Sequence, residues 1–128
     1  MRGSAEPQKR QPSARRAKLS AFLWLAGLFL TGLGAKLWLI NTYGTSLPFW
    51  DQWDEARVVY SPYFEGKLRL ADLFQAHNEH RIFFTRVYDL VILNLNGQWD
   101  NRVEMVANAI VHVATMVGFV GVAAKLFG

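Results

Sequence analysis

Residues 19–40, LSAFLWLAGLFLTGLGAKLWLI, carry only a few small polar side chains and one charge, Lys36. A bilayer core about 30 Å thick needs about 20 such residues in a helix. Lys36 lies near the far end of the run, where its stem can reach the headgroups. A cleaved signal peptide would pass the same first inspection, but the run stays apolar through GLGAKLWLI, past any small-residue cleavage site. An uncleaved membrane anchor is the better reading. Ahead of it, residues 1–18 hold Arg2, Lys9, Arg10, Arg15, Arg16 and Lys18 against the single acid Glu6. Such a flank keeps the N-terminus in the cytoplasm and has too little apolar surface to fold, so it reads as a disordered basic tail. Nor does it suit nucleic acid, since no aromatic residue is interleaved to stack on bases.

The rest of the 128-residue chain continues in blocks. Hydrophobic residues make up 52% and charged residues 19%, a balance that fits a membrane domain over 19–128 better than a small soluble core. The absence of cysteine excludes a disulfide framework and any thiolate metal site. Residues 41–80 are net acidic, the opposite of the tail, and belong on the outer face of a bacterial inner membrane. Within them, 51–60 and 68–76 read as short helices at the membrane interface, separated by a turn at SPYFEGK with Pro62 and Gly66 as breakers. Residues 81–97 then return through the membrane until Asn96-Gly97 stops them. QWDNR makes a tight polar connection with Arg102 on the cytoplasmic side, and 103–127 cross again. The expected fold is all-α, with about three membrane spans (19–40, 81–97 and 103–127) and a helical outer loop. Gly27, Thr31 and Gly34 give the first span a small-residue face for close helix contact.

Polar residues at membrane depth narrow the search for chemistry. Arg86 and Asp89 are three apart and can pair on one helix face. Glu104, Asn108, His112 and Thr115 recur at helical spacing in the last span, a stripe suited to interhelical hydrogen bonds with other helices. The outer loop opens with FWDQWDEA. Asp51 and Asp54 share a helical face there, while Trp50 and Trp53 are suited to the headgroup level. An aspartate that only caps a helix explains either acid alone. It leaves unexplained HNEHR at 77–81, where His77, Glu79, His80 and Arg81 precede re-entry into the membrane. That cluster suits a capped helix start or a phosphate with Arg81 as its forked partner; a divalent metal is the weakest of the three readings.

A basic N-terminus, one span and an acidic outer loop with FWDQWDEA and HNEHR resemble the N-terminal part of the GT-C class of integral-membrane glycosyltransferases. The resemblance covers residues 19–128 and implies a polyprenyl-phosphate-linked sugar as donor. It implies an essential outer-loop acid at Asp51, with Asp54 as the close alternative, and Glu79, His80 and Arg81 beside the donor phosphate. No cofactor is called for. Enzymes of this class have many more spans, so the resemblance also implies a fragment or truncated relative, inactive alone, that works with further membrane helices or subunits. A small non-catalytic accessory or scaffold protein is the alternative from a different class.

Overall fold

The computed structural model describes residues 14–50, 52–77 and 82–127, and among these the fold is all-helical. Helix α1, Ala14–Tyr43, has 30 residues and is about 45 Å long. It begins early enough to include Arg15, Arg16 and Lys18, which the sequence pattern had assigned to the tail. A helical head follows. Helix α2, Gln52–Glu55, runs without a break through a widened π-helical turn, Ala56–Tyr60, into α3, Ser61–Phe64. Proline did not break this helix, contrary to the expected turn at SPYFEGK. Pro62 has no N–H to give the carbonyl four residues back, and the widened turn directly before it accommodates that loss. The helix ends instead at Gly66, with φ +67°.

The single-turn helix α4, Leu70–Leu73, is shorter than the interfacial helix expected over 68–76. Helix α5, Phe83–Asn96, stops at Gly97, whose left-handed φ of +74° and N–H bond to the Leu93 carbonyl (2.8 Å) close it as the Asn-Gly pair predicted. Asp100 then caps the next helix by accepting from the Arg102 N–H at 2.9 Å. That helix, α6, Asn101–Phe127, has 27 residues and is about 40 Å long.

Two helices, α1 and α6, are long and apolar enough to cross a membrane. The middle span expected over 81–97 is not one of them. Its helix has 14 residues, about 21 Å, too short to cross, and it buries Arg86 in the head while Phe84, Val91 and Leu95 on its outer side stay exposed. This changes the topology. Gly32 meets Val113 and Gly121 meets Leu25, so α1 and α6 are antiparallel, and the head joins the end of α1 to the start of α6. Arg102 consequently lies at the head end of the hairpin, not at the opposite end. The close approach also falls on different glycines from those expected. A Cβ on Gly32 would sit 3.3 Å from Val113 Cγ1, whereas Gly27 and Gly34 have nothing within 4 Å.

The apolar core sits in the head. Val59, Tyr60, Leu73 and Leu93 are buried, with Val58, Leu68, Phe83, Leu90 and Trp99 packed around them. These residues come from the 52–64 helix, α4, α5 and the α5–α6 turn, so one cluster joins the short helices that could not stand alone. Asn101, also buried, fastens this head to the hairpin. Its amide accepts from Gln52 Nε2 at 2.8 Å and donates to the Leu47 carbonyl at 3.4 Å.

Candidate functional site

Arg86 is 1% exposed, and three elements close around it. Its Nε and Nη2 donate to the two oxygens of Glu55 at 2.8 and 2.9 Å, a forked pair. Its Nη1 donates to the carbonyls of Asp72, Leu73 and Gln75 at 3.3, 3.2 and 2.5 Å, filling acceptors that the end of α4 leaves open. His77 Nδ1 lies 2.9 Å from Glu55 Oε1, the oxygen that also accepts from Arg86 Nη2. One guanidinium thus holds α2, α4 and α5 in register. This corrects the expected Arg86–Asp89 pair: Arg86 turns to Glu55, and Asp89 is left to a cleft.

That cleft, about 220 Å³, lies where the head meets the first turns of α6. Gln52, Glu55, Tyr60, His77, Ile82, Thr85, Asp89, Trp99, Glu104 and Asn108 line it. Three carboxylates and an imidazole therefore share a small space. Tyr60 donates its hydroxyl to Glu104 at 2.7 Å, with Trp99 packed against its ring at 4.6 Å between centroids and a tilt of 37°. Burial first, and the bond to Glu104 next, raise the Tyr60 phenol above its ordinary 10.0, so it stays a neutral donor. Burial likewise pushes the Asp89 carboxyl from an ordinary 3.8 up to about 7, with Glu104 and Glu55 adding to the shift. A carboxyl poised there can take or give a proton near neutral pH.

The residues singled out by sequence fall unevenly around this cleft. Asp54 points away from it, exposed, with Arg57 Nη2 at 3.4 Å. Asp51 lies outside the described residues, next to Gln52, which lines the cleft. Glu79, His80 and Arg81 also lie outside them, and the nearest described residues, His77 and Ile82, both line the cleft. Among the described residues no group of three or more His, Asp or Glu side chains is arranged to hold a metal ion. Asp72, which α4 needs for its start, is held at about 2 by hydrogen bonds from Arg69.

No family model, curated protein or solved structure matches this chain. Its chemistry must be read from its own residues. Glu55 went unnoticed in the sequence because its neighbours Asp51 and Asp54 carried the obvious spacing. The usable signal was that Gln52, Glu55, Val59 and Tyr60 fall on one helical face, the face turned to the core. Glu104 was assigned to the membrane stripe. It sits instead in the first turn of α6, at the head.

Proposed function

We propose that this chain supplies the first-loop part of a GT-C-type membrane glycosyltransferase, acting on a sugar carried by a polyprenyl phosphate. The Glu55–Arg86 fork carries the reading. It draws α2, with Gln52 and Glu55, and the helix that follows HNEHR around one cleft where the head meets α6. A volume of about 220 Å³ falls below the roughly 300 Å³ at which drug-sized pockets begin, a size that suits one sugar ring rather than two complete substrates. Further membrane helices would complete the acceptor side.

In the reaction, an acceptor hydroxyl attacks the anomeric carbon of the sugar. The carbon–oxygen bond to the lipid phosphate breaks, and the phosphate leaves with the electron pair, so the anomeric centre inverts. The hydroxyl proton passes to a carboxylate. Asp51 and Asp54 are the acids that the resemblance nominates, and Asp89 is the one whose position and raised pKa recommend it. Arg81 would offset the charge gathering on the departing phosphate.

The test is transfer of radiolabelled sugar from polyprenyl-phosphate-hexose, in native membranes where variants replace the wild-type chain. Loss of general-base help lowers turnover by roughly 10²-fold or more. We expect that loss in Asp51→Asn or Asp89→Asn, with the protein still inserted. If Asp51→Asn, Asp54→Asn and Asp89→Asn all leave transfer intact, the enzymatic reading is wrong.

A non-catalytic subunit is the second reading, and one observation favours it. Asn108 and His112 are exposed on α6, a helix of spanning length, and α1 does not cover them. Polar groups at that depth call for other helices. A photo-crosslinker at His112 that captures a membrane partner, with sugar transfer unaffected by the three aspartate variants, would support this reading.

A further inference from the structure

Helix α5 has two unlike faces. Arg86 and Leu93, seven residues apart, are buried in the head, and Asp89 lines the cleft. On the opposite side Phe84, Val87, Val91 and Leu95 recur at helical spacing. All four are exposed, Phe84 by 85% and Leu95 by 80%. The charged side chains of the helix, Arg86 and Asp89, are both absent from that outer side. A helix face turned to water carries charge, so an uninterrupted stripe of large apolar side chains requires a cover.

The level of α5 beside the spans indicates what the cover is. Its last turn is joined to α6 by residues 97–100 alone. Its other end, at Ile82, lines the same cleft as Glu104 and Asn108 of α6. From Asn101 to Asn108 is about 10 Å along that helix. Standing upright above α6, a helix 21 Å long would carry Ile82 about 20 Å away from them. Both ends of α5 instead sit beside the first turns of a helix of spanning length, so α5 lies across them. Apolar side chains gather at the same junction. Asn101 Nδ2 donates to the Leu47 carbonyl at 3.4 Å, and Trp53 meets Trp99 edge to face at 6.4 Å between centroids. Leu47, Phe49, Trp50 and Trp53 are exposed there. Indoles at the end of a span sit at the headgroup level.

The composition of the stripe separates lipid from a partner helix. Faces that bind helices within a membrane present small residues for close approach or polar ones for hydrogen bonds. Such a face exists on α6, at Asn108, His112 and Thr115. The outer side of α5 holds only phenylalanine, valine and leucine, side chains that acyl chains match.

We propose that α5 lies flat in the headgroup boundary of the leaflet on the head side, and that its partner is the bilayer surface. Phe84, Val87, Val91 and Leu95 are sunk among acyl chains, while Arg86 and Asp89 turn to the head. The segment expected to cross the membrane thus anchors the head in its plane and holds the cleft at headgroup level. This placement does not depend on the cleft being catalytic.

The experiment uses the full chain in phosphatidylcholine vesicles. The chain contains no cysteine, so Phe84→Cys, Val91→Cys and Leu95→Cys each accept a single nitroxide label. Electron paramagnetic resonance then compares collisions with oxygen, which concentrates in lipid, and with a nickel chelate, which stays in water. Leu28→Cys, midway along α1, is the lipid control, and Arg57→Cys, exposed on the head, is the water control. All three α5 labels are expected to favour oxygen, at depths of about 5–10 Å below the headgroup boundary and within about one helical turn of one another. A helix that crosses the leaflet would separate Phe84 from Leu95 by about 16 Å in depth, and that result overturns the flat placement. Chelate access equal to that at Arg57→Cys puts the stripe in water. Exclusion of both reagents puts it under protein, a second copy or another subunit. Either outcome overturns the proposal, and three separate positions keep the test standing if one variant does not fold.

Discussion

Replacing Arg86 by methionine tests the head most directly, because the side chain keeps its length and loses all of its donors. Wild-type Arg86 is 1% exposed, and its partner carboxylate on Glu55 is 14% exposed. Removing one member of a buried ion pair costs about 3–5 kcal/mol, since Glu55 then loses the fork and keeps the His77 imidazole beside it. The carbonyls of Asp72 and Leu73 in α4 and of Gln75 just after it lose their donor as well, at about 1 kcal/mol each if water does not replace it. These losses share one side chain and do not add, so about 3–5 kcal/mol is the expected total. That is a large part of the roughly 5–15 kcal/mol that holds an ordinary domain together. Local opening of the head should therefore become about 10²- to 10⁴-fold more frequent. Amide hydrogen exchange of the chain in detergent reads this ratio directly, with α1 and α6 as internal references whose protection should not change. The double variant Glu55→Gln/Arg86→Met should regain part of the loss, because no charge remains unpaired. If Arg86→Met leaves α5 and the 52–64 helix as protected as in wild type, the fork is not what joins the short helices, and the reasoning fails.

Asp89 gives a pH prediction with a definite sign. Its folded pKa of about 7 exceeds the ordinary 3.8, so the folded state binds the proton more tightly, and stability falls as pH rises from 3.8 through about 7. Asp89→Asn should therefore gain thermal stability over wild type at pH 8 and little at pH 4; equal curves at both would refute the buried carboxyl. The antiparallel hairpin predicts that a short bifunctional thiol reagent joins Leu25→Cys to Gly121→Cys within one chain, since Leu25 Cδ1 lies 3.4 Å from the position of a Gly121 Cβ. A three-span chain would set the first and last spans parallel, with these residues at opposite ends, and no such link would form.

How much of this was legible before any coordinates depended on whether the controlling interaction was local. The length and apolarity of 19–40 and of 103–127 imply membrane helices, because backbone groups in lipid must bond within their own segment. Asn96-Gly97 sets the end of α5 for an equally local reason, the ease with which glycine adopts φ +74°. Residues 81–97 misled because apolar periodicity is the same for a span as for a helix buried in a head. Only the partners of Arg86 distinguish the two, and they lie 31 positions away at Glu55 and 11 to 14 away at the end of α4 and just after it. Asp89 and Glu104 come from different helices and become cleft neighbours through that packing. Their spacing in sequence carries no trace of it. Apolar length and turn residues thus made the helices predictable, whereas the direction of α6, the fork at Arg86 and the acidic cleft arose from how those helices pack.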